Sequence, residues 1–138
     1  MDTSVLVALI VNEPRSAAVS GWYSASKAEL VSAAWCVPEF ASALGIKQRM
    51  GQLDARQAQQ AWARFERLAA NDLRLLPVAL EQFHRAAMMT LDASSALRAG
   101  DALHLACAEL AGVKGLATLD AVMARNAQRL KIKAVVFA

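Results

Sequence analysis

Arg98-Ala99-Gly100-Asp101-Ala102-Leu103-His104-Leu105-Ala106 is the stretch on which the reading of this chain turns. Asp101 follows a glycine and leads into Ala-Leu-His-Leu-Ala-Cys-Ala, a run that reads as a buried helix. Leu103, Cys107 and Leu110 recur at i, i+4 and i+7, so one face is apolar. Asp101 is therefore expected at or near the first turn, where a carboxylate accepts free backbone N–H groups and sits well in the helix dipole. Alone, it reads as a helix cap. Three further acids, Asp2, Glu39 and Asp120, also stand beside apolar segments, where strand or helix ends fall.

The surrounding chain has 138 residues, enough for one domain with a real core. It is 57% hydrophobic, with a mean hydropathy of +0.30 and the apolar residues dispersed in periodic patches. The longest early apolar run, Val5 to Val11, stops at Asn12-Glu13-Pro14 and is too short to span a bilayer. An acid precedes it where a signal peptide carries positive charge, so a soluble, cytoplasmic protein is expected. Cys36 and Cys107 lie in apolar surroundings without metal-ligand spacing and read as buried reduced thiols. A net charge of +3 is compatible with a nucleic-acid partner without demanding one.

In chain order, helix-like and strand-like segments alternate. A helix is expected from near Ser4, capped by Ser or Thr, and another from Arg15 to Ala25 with Ala18, Val19 and Trp22 facing inward. Leu30 to Ala33 reads as a strand. Pro38 opens a helix with Phe40 and Leu44 on one face, and Asp54 caps the next, where Ala58, Trp62, Phe65 and Ala69 recur. Leu73 to Leu76 is a buried strand ended by Pro77. A helix over 79–89 should bury Leu80, Phe83 and Ala87. Gly115 to Leu119 is a strand, Asp120 caps a helix presenting Met123, Ala127 and Leu130, and Lys133 to Phe137 is a last strand. Strands separated by helices imply a mostly parallel sheet with helices on both faces, in one α/β domain.

Open parallel sheets bind ligands beyond the carboxyl ends of their strands, and all four acids can converge on that edge. Each alone reads more simply, Asp2 and Asp120 as caps and Glu39 as a first-turn acid. Together they would repel by about 4 kcal/mol per close pair at an effective dielectric near 20, so a cluster requires cations or protons between the acids. Oxygen ligands of this hardness favour Mg²⁺ or Mn²⁺ over zinc.

Met1-Asp2-Thr3-Ser4-Val5-Leu6, Val37-Pro38-Glu39-Phe40, the Arg98–Ala106 stretch and Ala117-Thr118-Leu119-Asp120 resemble the four acidic blocks of PIN-domain ribonucleases. More narrowly, the chain resembles VapC toxins of VapBC type II toxin–antitoxin systems, over essentially its whole length and in block order. The resemblance implies a PIN-like three-layer α/β/α fold with a five-stranded, mostly parallel sheet. It also implies that Asp2, Glu39, Asp101 and Asp120 bind one or two divalent metals, Mg²⁺ or Mn²⁺. Asp2 and Asp101 would be the firmest ligands. The implied reaction is hydrolysis of an RNA phosphodiester to a 5′-phosphate and a 3′-hydroxyl, with no side-chain nucleophile. The implied partners are an RNA substrate, a VapB-like antitoxin filling the acidic groove, and a second copy in a homodimer, with no membrane.

Other residues are weighed beside these. Thr3 or Ser4 either orients Asp2 or a metal-bound water, or is only a cap. His104, three residues after Asp101, is expected to pack and hydrogen-bond at the sheet rather than ligate metal. Trp62 and Phe65 read as core or dimer contacts. Lys47, Arg49, Arg56, Arg64 and Arg67 are either a solvated face or a rim for RNA phosphates. Two features depart from the family pattern. Only Met1 precedes Asp2, so the central strand is expected to be clipped, and Trp35-Cys36 is bulky just before the Glu39 block. Among rivals, a phospho-acceptor receiver fails because it wants an aspartate ending its third strand, and that strand here ends Leu75-Leu76-Pro77. Nucleotide binding fails for want of GxGxxG or GxxxxGK[ST]. A PIN fold acting only through protein partners remains the alternative.

Overall fold

A computed structural model describes residues 1–137. The strand β1 (Leu30–Ala33) pairs in parallel with β2 (Leu73–Leu76), Leu30 opposite Leu73 and Ala33 opposite Leu76. Likewise β3 (Gly115–Ala117) pairs with β4 (Lys133–Val135), Gly115 opposite Lys133. The first pair is joined through α3 (Cys36–Arg49) and α4 (Ala55–Asn71), the second through α7 (Ala121–Arg129). Helical crossovers of this kind are what parallel pairing requires. Two helices, α1 (Thr3–Ile10) and α2 (Ser16–Ala25), precede β1. Two more, α5 (Leu80–Leu91) and α6 (Ala99–Leu110), separate β2 from β3, with a 3₁₀ turn at Ala93–Ser95 between them.

The five-stranded sheet expected from the resemblance is not formed as one ladder. Among the described residues there are two two-stranded sheets. The place between them is held by Met1 and Asp2. The Met1 ammonium donates to the Val31 carbonyl at 2.7 Å, and the Asp2 N–H donates to the Ala117 carbonyl at 3.1 Å. This dipeptide links β1 to β3 by one hydrogen bond on each side, and Asp2 caps α1. A groove of about 420 Å³ opens beside it, bordered by Met1, Leu30, Val31, Gly115, Ala117 and Val135.

Two apolar cores flank the strands. One joins α1, α3 and α4 around Leu6, Phe40 and Phe65, whose rings stack at 4.5 Å. The other joins α5, α6 and α7 around Leu105, Met123 and Ala127. Successive β3 residues divide between them, Leu116 to the second core and Ala117 to the first, as the two-residue period of a strand dictates. Asp54 caps α4 in a reciprocal capping box with Gln57, as its position before the periodic run predicts.

The expected inner face of α5 is wrong. Leu80 is 72% exposed and Phe83 45% exposed, and Ala87 also faces solvent; Ala86 and Met89 are the buried pair. The helix packs chiefly on α6, whose Ala102 and Ala106 share that core. A small residue on each side lets the backbones approach closely, and that selects the Ala86 side over the more apolar one. On α6, Leu110 is 45% exposed although it continues the Leu103–Cys107 spacing, because every residue from Ala102 to Ala108 is buried and the helix end emerges from the core.

Candidate functional site

Asp2 is the N-cap of α1, the place expected for Ser or Thr. Its Oδ1 accepts from the Val5 N–H at 3.2 Å and from Ser4 Oγ at 2.6 Å, and its Oδ2 accepts from Thr118 Oγ1 at 2.5 Å. Ser4 Oγ in turn accepts from the Leu119 N–H. Of the two hydroxyls left open by the sequence, Ser4 orients Asp2 and Thr3 turns elsewhere. Thr118, which binds the carboxylate from β3's far end, was not anticipated. Its one signal was its place in the Thr-Leu-Asp block.

Glu39 lies in the first turn of α3. Its Oε1 accepts from Thr3 Oγ1 at 2.7 Å and lies 2.5 Å from His104 Nε2, the two donors being 3.2 Å apart. A carboxylate only accepts, so Nε2 carries the proton in this contact. Burial pushes the Glu39 carboxyl up, but the His104 and Thr3 hydrogen bonds and the imidazole's charge outweigh it, and the group lies below its ordinary value. His104 is buried, as expected, yet its partner is this acid rather than the sheet.

Asp101 is the third residue of α6, whose cap position is Arg98. It is therefore a first-turn acid and not the cap its position by Gly100 suggested. Burial raises its pKa first, and then the charges of Asp120, Glu39 and Asp2, in that order; His104 offsets part of this. Asp120 is the N-cap of α7, with Oδ1 accepting from the N–H groups of Val122 and Met123 at 2.7 and 3.0 Å. Its own N–H donates to Thr118 Oγ1.

The four predicted acids come from four separate parts of the chain, and Asp120, Glu39 and Asp2 lie near enough to act on Asp101 by charge. Three have their charge answered by helix starts or hydroxyls, whereas Asp101 stands against the other three with no hydrogen bond among the causes of its shift. Among the described residues, no group of three or more His, Cys, Asp or Glu side chains stands where it could hold a metal ion. The donor set nevertheless fits a hard divalent cation. All four donors are carboxylate oxygens, and the unanswered charge on Asp101 is what a cation would relieve.

A groove of about 430 Å³ runs from Thr3 and Ser4 past Leu119 to Ile46, Lys47 and Met50. Two of the basic residues read as a possible rim are otherwise engaged: Lys47 pairs with Glu13, and Arg64 donates to the Ile10 carbonyl. Arg49, Arg56 and Arg67 are exposed. Both cysteines are free and buried. Among the described residues no helix is long and apolar enough to cross a membrane.

Short parallel strands joined by helices, with acids at the starts of α1, α3, α6 and α7, define an α/β domain. The PIN domain family matches residues 1–129, and the chain belongs to that family. Its members are generally nuclease-like and typically use divalent metal ions. Comparison with curated proteins gave no match.

Proposed function

We propose that this protein is a metal-dependent endoribonuclease, the VapC-like toxin of a type II toxin–antitoxin module, which hydrolyses RNA and so inhibits translation or growth. The reading is supported by the match to the PIN family and by Asp101, which lies within reach of the charges of Asp120, Glu39 and Asp2. Asp2 and Asp120 also cap helices, but the mutual repulsion at Asp101 brings the fold no stability. Binding of Mg²⁺ or Mn²⁺ is the function that accounts for it.

Asp2 and Asp101 would be the firmest ligands, with Glu39 and Asp120 completing the site directly or through water. A divalent ion there would lower the pKa of a bound water and stabilise charge on the scissile phosphate. The chain's own contribution is to fix the acids. Asp2 is locked by Ser4 and Thr118, Asp120 by the start of α7, and Glu39 by Thr3 and His104. The products are a 5′-phosphate and a 3′-hydroxyl. Exposed Arg49, Arg56 and Arg67 are the candidates for phosphate contact. A VapB-like antitoxin covering the acids, a homodimer and a cytoplasmic setting complete the proposal.

The test compares the protein with Asp101→Asn on total cellular RNA, with Mg²⁺, with Mn²⁺ and with a chelator. Discrete metal-dependent cuts that vanish in the variant are expected. Equal cutting by both would overturn the role of Asp101. No cutting by either, with no metal bound, would instead favour a PIN fold that acts only through protein partners.

A further inference from the structure

We propose that Gly100 and His104 are positioning residues that hold the Glu39 carboxylate beside Asp101, so that α6 both carries one metal-binding acid and seats another. The inference rests on the nuclease reading above. Gly100 and His104 are four residues apart and share a face of α6, with Asp101 one step round the helix. Glu39 reaches this face from α3 on a long side chain with several free rotations, and without a seat it would sample many positions.

Each carboxylate oxygen meets a different part of that seat. Oε1 takes His104 Nε2 at 2.5 Å and Thr3 Oγ1 at 2.7 Å. Oε2 occupies the room left by the missing side chain of Gly100. A Cβ there would stand 2.9 Å from Glu39 Oε2, closer than real Cβ atoms come, and 3.0 Å from Trp35 Nε1, a tight contact. The glycine is required for space and not for an unusual backbone, since it lies within the regular first turn of α6. A glycine inside a helix weakens it relative to alanine, so it is the acid's room, not the helix, that the residue serves. Trp35 Nε1 closes the same seat. It is buried without a hydrogen bond of regular geometry, and its nearness helps hold the Glu39 proton off. The bulky Trp35, a departure from the family pattern, thereby has a place.

A merely structural role and a positioning role predict different things for Gly100→Ala. The nearer atom in the way is the far end of a flexible side chain, so Glu39 can swing aside cheaply while the helix improves, and the Trp35 ring need give by only a few tenths of an ångström. The variant should melt no lower than the wild type and yet bind metal more weakly. The experiment measures Mn²⁺ affinity of the full chain by calorimetry at one pH, alongside thermal melting. Gly100→Ala and His104→Leu should each weaken Mn²⁺ binding roughly tenfold or more, the range found when partners of metal ligands are removed. His104→Gln, whose amide still donates, should recover most of the loss. In a Glu39→Gln background, neither Gly100→Ala nor His104→Leu should cost anything further. Wild-type affinity in Gly100→Ala, or losses that multiply with that of Glu39→Gln, would overturn the proposal. Should His104→Leu fail to fold, Gly100→Ala alone decides. Mn²⁺ binding that Asp101→Asn abolishes but the seat variants leave intact would spare the nuclease reading and overturn the seat. Absence of Mn²⁺ binding by the wild type would overturn both.

Discussion

Neutralising Asp101 should make the metal-free protein more stable. Its carboxylate is pushed above its ordinary pKa by burial and by three neighbouring acids, so at neutral pH the folded state carries a charge it would shed if it could. Asp101→Asn keeps the shape and removes that charge. Like charges in one pocket repel by several kcal/mol at close range, but Asp101 is only half buried and solvent screens much of this, so the gain is about 1 kcal/mol. For a domain of this size that raises Tm by about 3–5 °C. The pH dependence follows from linkage. Between the ordinary value of 3.8 and the raised folded value, the folded state binds more protons than the unfolded one. The wild type therefore loses stability as pH rises through that window, and the penalty is absent below it. The advantage of Asp101→Asn should be full at pH 7 and shrink on acidification. Divalent metal should reverse the order. At ten times its Kd, Mg²⁺ adds about 1.4 kcal/mol to a chain that binds it and little to one that does not. Melting curves with chelator and with Mg²⁺ at several pH values make the measurement. A variant that melts below the wild type in chelator at pH 7 would refute the reasoning, because Asp101 would then be holding the fold together.

Asp120→Ala should cost about 1 kcal/mol through loss of the α7 cap, whereas Asp120→Asn should keep most of the stability and lose the charge; urea melts of the two against wild type check the split. Leu80→Ser and Leu91→Ser should each change the stability of dilute protein by less than about 0.5 kcal/mol, since those side chains are 72% and 77% exposed. A loss above 2 kcal/mol for either would mean that the apolar face of α5 is packed after all. Adding four strand-forming residues ahead of Met1 should stabilise the fold by roughly 1–3 kcal/mol, through new backbone hydrogen bonds in the groove between β1 and β3. It also removes a buried ammonium, whose pKa burial lowers against the pull of Asp2 and Cys36. The unextended chain should therefore gain stability as pH rises toward 8.0, and the extended chain should not.

The alternation of strands and helices was legible because it rests on local periodicity, and the caps at Asp54 and Asp120 were legible because short acids before apolar runs have few other uses. The face of α5 was not. Leu80, Phe83 and Ala87 make the better apolar stripe, and only the small residues of α6 explain why Ala86 and Met89 face inward. Nor did spacing distinguish a cap from a third helical residue at Asp101, since an acid is favoured at both places near a helix start. The places of Asp2 and Asp120 as caps and of Glu39 in a first turn were readable from their positions at element ends. Their individual holders were not, because Thr118 lies 116 residues from Asp2 and His104 lies 65 from Glu39. Contacts at such range leave no periodic trace. Gly100 was noted only as the glycine before Asp101, and its neighbours show that its missing side chain leaves room for Glu39 Oε2.

The bond from Thr118 to Asp2 also sets a schedule for synthesis. Asp2 leaves the ribosome 116 residues ahead of Thr118, whose hydroxyl fixes it. At about 5–20 residues per second, the intervening chain takes roughly 6–24 seconds to make. Throughout that interval the nascent protein can build α3, α4 and their core while its acids remain scattered. On the nuclease reading proposed above, the site stays unarmed until Thr118 and Asp120 have been made.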